Sequence, residues 1–119
     1  MPRSNYLINQ NNNTFVINFN NGQIVNVILL QQNYSPSDLV AYINSIVNIN
    51  NFVCNYNQQT YKITFSANQN FTLDFTGSKF YRLLSLDSKI YSSTNNMFIS
   101  NVINFNIPYY VNLAFENLT

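Results

Sequence analysis

Residues 51–75 read NFVCNYNQQTYKITFSANQNFTLDF. Three stretches of this segment alternate. Phe52, Cys54 and Tyr56 fall on one side of the first, Tyr61, Ile63 and Phe65 on one side of the second, and Phe71, Leu73 and Phe75 on one side of the third. A period of two marks a half-buried strand. With Asn57-Gln58-Gln59 as a connector, the pattern predicts a β-meander of Phe52–Tyr56, Thr60–Ser66 and Asn70–Phe75. Cys54 takes an inward, small apolar position in it. Each large apolar side chain buried contributes roughly 1.5–3 kcal/mol, so the apolar face needs a cover.

The segment before it offers one. Ser35-Pro36-Ser37-Asp38 has a capping residue, a proline suited to the first helical position and an acid three residues after the cap. Leu39, Tyr42, Ile43, Ile46 and Val47 then recur at helical spacing. The expectation is an amphipathic helix over about 36–48 laid on a sheet, an economical two-layer arrangement. Further upstream, Phe15, Ile17 and Phe19 alternate in a strand from Thr14 to Asn20, and Asn21-Gly22 signals a hairpin. The turn is expected over Asn20 to Gln23. Ile24 to Leu30 returns as a strand that is apolar on both faces, and is therefore expected in the centre of the sheet.

Residues 1–13 read as a polar N-terminal arm whose one apolar cluster is Tyr6-Leu7-Ile8, and residues 14–119 as a single β-rich domain. Downstream, Gly77-Ser78 introduces a short second helix at about 79–84, with Phe80, Leu83 and Leu84 inward. Ile90 to Met97 reads as a polar loop. Phe98–Asn106 and Tyr109–Phe115 read as strands separated by Pro108, which cannot donate to a central ladder. The fold class expected is α+β: a mainly antiparallel β-sheet or small sandwich with one amphipathic helix and a short second one.

Composition narrows the function. The chain has 119 residues, which suits one domain. Five Lys and Arg oppose four Asp and Glu, for a net charge of +1. Arg3, Lys62, Lys79, Arg82 and Lys89 are scattered, with Asp74 and Asp87 among the last three, so no basic face for phosphates is expected. No apolar run approaches the ~18 residues of a membrane span, and the N-terminal sequence has no apolar stretch of signal-peptide length. The chain lacks His, the side chain that titrates nearest neutral pH. Its four carboxylates are too dispersed for a metal cluster. The expectation is a protein that is not an enzyme, has no cofactor or metal, and binds neither nucleic acid nor membrane.

There are 25 Asn but only three Lys. An AT-rich genome would raise both, so charge is being avoided and neutral amides hold the polar positions. An amide donates and accepts, and costs less to desolvate than an ion, which suits crowded contacts. Asn-x-Ser/Thr sites at Asn12, Asn33, Asn70 and Asn117 are about as many as this composition gives by chance, and carry no evidence of glycosylation.

The order of these features resembles a family. NTFVINFNNGQIVNVILLQQNYSPSDLVAYINSIV reads as strand, strand and a "Y-S-P-S-D-L" helix start; the 51–75 segment follows, then KFYRLLSLD, then SNVINFNIPYYVNLAFENL. Over about residues 14–118 this is similar to a module in virion structural proteins of eukaryotic double-stranded DNA viruses and their virophage or polinton-like relatives. One departure is that Ser85-Leu86 stands where related-looking sequences carry Gly-Phe. The resemblance implies a minor capsid, vertex or fibre-associated component, assembled in the infected host cell. Its partners would be further copies of itself and other capsid proteins. Contacts are expected from the arm Asn5 to Asn13, the loop Ser88 to Asn96 and the edge around Tyr109 and Tyr110. Within these, Tyr6, Leu7, Ile8, Tyr91, Tyr109 and Tyr110 are the candidate interface residues. The alternative is a module that recognises a glycan or receptor with exposed Tyr and Asn.

Overall fold

The computed structural model describes residues 6–103. The strand expected over Tyr109–Phe115, and with it Tyr109 and Tyr110, lies outside the described residues; of the strand expected over Phe98–Asn106, the described part is strand only to Ile99. The fold is α+β, with two antiparallel sheets and one α-helix. A four-stranded sheet contains β2 (Thr14–Phe19), β3 (Ile24–Ile28), β7 (Phe71–Asp74) and β8 (Ile90–Ser92), in the order β3-β2-β7-β8. A three-stranded sheet contains β5 (Val53–Asn57), β6 (Lys62–Ser66) and β9 (Met97–Ile99), in the order β5-β6-β9. A two-stranded ribbon pairs β1 (Tyr6–Leu7) with β4 (Asn33–Tyr34). The helix α1 spans Pro36–Ile46. No helix among the described residues is long and apolar enough to cross a membrane.

Aromatic rings join the two larger sheets. Phe15 of β2 meets Phe65 of β6 edge-on at 6.4 Å between centroids and stacks on Phe80 at 4.9 Å. Phe52 contacts Phe19, Phe65 and Phe71, and Tyr91 of β8 lies 5.3 Å from Phe98 of β9. Edge-to-face and offset rings of this kind add about 0.5–1.5 kcal/mol per pair beyond their buried area. The residues expected on the inner faces of the central strands, Phe15, Ile17, Phe19, Cys54, Ile63, Phe65, Phe71, Leu73 and Phe75, are all buried.

The expected meander is only half present. β5 and β6 pair as a hairpin, but β7 leaves them and pairs with β2 on one side and β8 on the other. The connector between β6 and β7 crosses from one sheet to the other, held by Asn68 N–H to Asn50 O at 2.8 Å and Asn20 N–H to Asn70 O at 3.0 Å. An alternating strand carries no label for its neighbour: here the aromatic contacts set the second sheet against the apolar face, and Leu39, Ile43 and Val47 of the helix stripe are buried in the same core. Tyr61, expected inward on β6, stands in the preceding turn with φ of 59° and is exposed.

The helix also guards an edge. Asn44 on α1 donates through Nδ2 to Cys54 O at 2.8 Å and accepts through Oδ1 from Cys54 N–H at 2.8 Å. One amide side chain thus replaces the missing neighbour strand at the outer side of β5. Ser35 caps the helix as expected, its Oγ accepting from Asp38 N–H at 3.1 Å. The helix ends at Ile46, before the expected Asn48, because Val47 turns extended and carries its side chain into the core.

The second helix is a single 3-10 turn, Phe80–Arg82. It closes with Leu86 N–H to Tyr81 O and Ser85 N–H to Arg82 O, both 3.1 Å, and with Ser85 at φ of 55°. That bonding pattern is a Schellman motif, whose left-handed position favours glycine. Ser85 therefore adopts the conformation a glycine would, at the place where the resemblance expected one. The segment Ile90 to Met97, read as a loop, holds β8, the start of β9 and a two-residue hairpin between them. Thr94 and Met97 exchange main-chain bonds of 2.8 and 3.1 Å, with Asn95 and Asn96 at φ of 52° and 65°. Two consecutive positive φ values define a turn twisted to suit a hairpin, and Asn tolerates them.

Candidate functional site

The outer face and free edge of the four-stranded sheet carry the feature the sequence reading missed. β3 is an edge strand, not a central one. Val25, Val27 and Leu29 point inward. Ile24, Ile28 and Leu30 stand 62%, 60% and 57% exposed. Apolarity on both faces came here from one core face and one uncovered face.

The β3 main chain shows which groups are free. Phe19 N–H donates to Gln23 O at 2.8 Å and Leu29 N–H donates to Asn13 O at 2.8 Å. Odd-numbered residues from Gln23 to Leu29 therefore turn their main-chain groups toward β2. By the alternation of an antiparallel ladder, those of Ile24, Asn26 and Ile28 turn away from it. Among the described residues no strand pairs along that side. Exposed edges are usually protected by charge, proline or a bulge. β3 has no charged residue and no proline, and none occurs from Asn5 to Ser35.

The face behind this edge is also close to neutral. Across the sheet, Asn26 lies opposite Val16, Val16 opposite Asp74, and Asp74 opposite Ile90. Ile24, Asn18, Thr72 and Ser92 form the next row. The one charge, Asp74, is locally satisfied: its Oδ1 accepts from Thr76 Oγ1 at 2.6 Å and Thr76 N–H at 2.9 Å. These two bonds hold its carboxyl below the usual aspartate value. Burying one partly exposed Ile from such a surface is worth about 1–2 kcal/mol.

The amide-rich turns at the opposite end of β3 form a network of their own. Asn21 Nδ2 donates to Gln23 Oε1 at 2.8 Å, Asn50 Nδ2 to the same oxygen at 2.9 Å, and Asn21 N–H to Gln69 Oε1 at 2.7 Å. Asn70 Oδ1 accepts from Asn96 N–H at 2.8 Å and from Ser93 Oγ at 2.9 Å. These bonds tie the turns of both sheets together, so much of the asparagine content is structural. Three residues, Asn20 to Gly22, make the β2–β3 turn, and of these only Gly22 takes a positive φ, 93°. Asn21, the other residue of the hairpin signal, supplies hydrogen bonds to Gln23 and Gln69.

Neither a protein-family model, nor a curated protein, nor a solved structure matches this chain.

The expected contact residues are dispersed. Tyr6 and Leu7 form β1, paired with Tyr34 and Asn33. Leu7 is 57% exposed, but Ile8 is 1% exposed and belongs to the core. Its N–H donates to Gln32 O at 2.9 Å, and Lys79 N–H reaches Asn11 O at 2.8 Å. Ile8 is thus corrected from an outward contact to a core residue, and the described part of the arm is bonded into the domain. Tyr91 is half-buried between Phe75 and Phe98, with Lys89 Nζ 5.0 Å above its ring and its hydroxyl accepting from Asp87 N–H. The ring is used mainly for packing. Leu7 lies on the ribbon and Tyr91 on β8, the far edge from β3, so the structure does not gather the candidates into one patch.

Cys54 is buried, and burial pushes its thiol well above the ordinary range. Among the described residues no three His, Cys, Asp or Glu side chains group as metal ligands.

Proposed function

We propose that this chain is a non-enzymatic structural protein of a virus particle, a minor capsid, vertex or fibre-associated component that works by associating with itself and with capsid subunits. The observation that carries the reading is the set of exposed apolar side chains, Ile24, Ile28, Leu30 and Ile90, on a charge-poor outer surface that ends at an edge of β3 unpaired among the described residues. Such a surface gains free energy when another protein covers it, and strand addition gains main-chain bonds without charge. A second uncovered apolar strip, Val53, Met97 and Ile99 on the outer face of the three-stranded sheet, gives the domain two surfaces, as a subunit between neighbours requires. The sequence resemblance to virion structural proteins supports the particle setting.

The test is quantitative mass spectrometry of particles purified from the source, with the solution mass of the full chain measured in parallel. A fixed copy number relative to the major capsid component supports the reading. Absence from particles overturns it. Saturable binding to a glycan panel by a chain absent from particles selects the recognition-module alternative.

A further inference from the structure

Asn21-Gly22 is the one Asn-Gly step in the chain, and it lies exposed in the β2–β3 turn. The same step carries chemistry. The main-chain nitrogen after an asparagine can attack the side-chain amide carbon, and glycine, having no side chain, leaves that nitrogen least hindered. We propose that Asn21 is a latent deamidation site. The amide network around the turn holds it unreacted in the folded domain, and it converts to aspartate or isoaspartate once the turn opens.

The reaction needs only base and water, and nothing is oxidised or reduced. Base removes the proton from Gly22 N, the nitrogen bonds to Asn21 Cγ, and the Cγ–Nδ2 bond breaks. The amide nitrogen takes up a proton from water and leaves as ammonia. Water then opens the five-membered imide. Opening at Cγ gives aspartate, and opening at the main-chain carbonyl gives isoaspartate.

In the folded chain the polar atoms of this reaction are all engaged. Gly22 N–H donates to Phe19 O at 3.0 Å, so the attacking nitrogen is committed to the end of β2. Asn21 Oδ1 accepts from Gln23 N–H at 3.0 Å. The leaving group, Nδ2, donates to Gln23 Oε1 at 2.8 Å and to Asn50 Oδ1 at 3.3 Å. Gln23 Oε1 is fixed in turn by Asn50 Nδ2 at 2.9 Å, and Asn21 N–H by Gln69 Oε1 at 2.7 Å. These partners come from the turn itself, from the link between α1 and β5, and from the β6–β7 connector. Ring closure takes Gly22 N and Nδ2 out of their bonds, so the turn must open before the reacting atoms align. Opening several exposed bonds lowers the reactive population about tenfold to a hundredfold.

Conversion changes the turn for good. Aspartate lacks the Nδ2 donor, so Gln23 Oε1 and Asn50 Oδ1 then face a carboxylate. Isoaspartate adds a main-chain carbon to a turn that already needs a positive φ at Gly22. The new carboxylate also cancels the formal net charge of +1, and a chain near zero net charge associates more readily. A converted Asn21 therefore marks chains whose turn has opened.

The test incubates the full chain in mildly alkaline buffer, folded and in urea, and follows conversion at each asparagine by peptide mapping with mass spectrometry. Residue 21 should convert about tenfold or more slowly in the folded chain than in urea. Gln23→Ala removes the acceptor that Asn21 and Asn50 share, leaves Gly22 in place, and alters an exposed side chain that the fold does not need. It should raise conversion at residue 21 several-fold in the folded chain and leave the rate in urea unchanged. Gln69→Ala, which frees Asn21 N–H, should act in the same direction. Asn44-Ser45 is the internal reference, because Asn44 is held by Cys54 and takes no part in the turn network. Its conversion should stay slow in every folded sample.

No conversion at residue 21 in urea removes the site altogether. If residue 21 converts as fast folded as in urea, the network gives no protection. If both variants leave the folded rate unchanged, these bonds do not hold the amide. If Asn44 accelerates together with residue 21 in the variants, global unfolding rather than release of the turn is the route, which overturns the proposal as well.

Discussion

Replacing Asn44 by Ala is expected to destabilise the domain by about 2–3 kcal/mol. Asn44 bonds both main-chain groups of Cys54, each at 2.8 Å. Cys54 is fully buried, so water does not replace those bonds without a rearrangement. An unpaired buried donor or acceptor costs about 1–3 kcal/mol, and because both bonds are part-buried the lower part of that range applies to each, roughly 2–4 kcal/mol for the two. Alanine returns about half a kcal/mol through its better helix propensity. Urea unfolding followed by circular dichroism and tyrosine fluorescence measures the difference. For a slope of about 1–2 kcal/mol per molar urea, the midpoint falls by between about 1 and 3 M.

Asn44→Asp sharpens the experiment. It keeps the acceptor for Cys54 N–H but sets an oxygen against Cys54 O, so it should be no better tolerated than Ala. The Cys54 amide should also exchange faster in both variants. If Asn44→Ala is neutral or stabilising within half a kcal/mol, helix propensity outweighs the bridge. The account of α1 as the guard of the β5 edge is then refuted.

Ile8→Ser should cost about 2–4 kcal/mol, the loss of a buried aliphatic side chain plus the burial of a hydroxyl; a change below 0.5 kcal/mol in the same assay would return Ile8 to the surface. Ser85→Gly should be more stable than Ser85→Ala by about 1 kcal/mol, since both lose the hydroxyl bond to Val102 O and only glycine relaxes the positive φ. The carboxyl of Asp74 is held below its unfolded value, so its contribution is present above that value and is lost as pH falls through the lowered folded one. Stability titrated from neutral to acid pH should show a small loss in the acid range that Asp74→Asn reduces, small because the group is largely solvated.

The sequence alone determined most of the inward strand faces and the start of the helix, though not the core position of Ile8 or the exposed one of Tyr61. Alternation placed Phe15, Ile17 and Phe19, then Cys54, Ile63 and Phe65, then Phe71, Leu73 and Phe75 on inward faces, because a strand's side chains reverse direction at every step. Ser35, Pro36 and Asp38 announced the helix, because capping is local chemistry between residues close in the chain. Local signals could not say which strands are neighbours. β7 joins β2, and β8 and β9 flank different sheets through a turn built on two asparagines, whose tolerance of positive φ is easily passed over among so many others.

The tertiary structure alone separated Ile24 and Ile28, which face out, from Val25 and Val27, which face in. Along the sequence all four are one apolar run, identical to a strand buried on both sides. Among the described residues no strand pairs along the outer edge of β3, and its outward side chains Ile24 and Ile28 stay exposed.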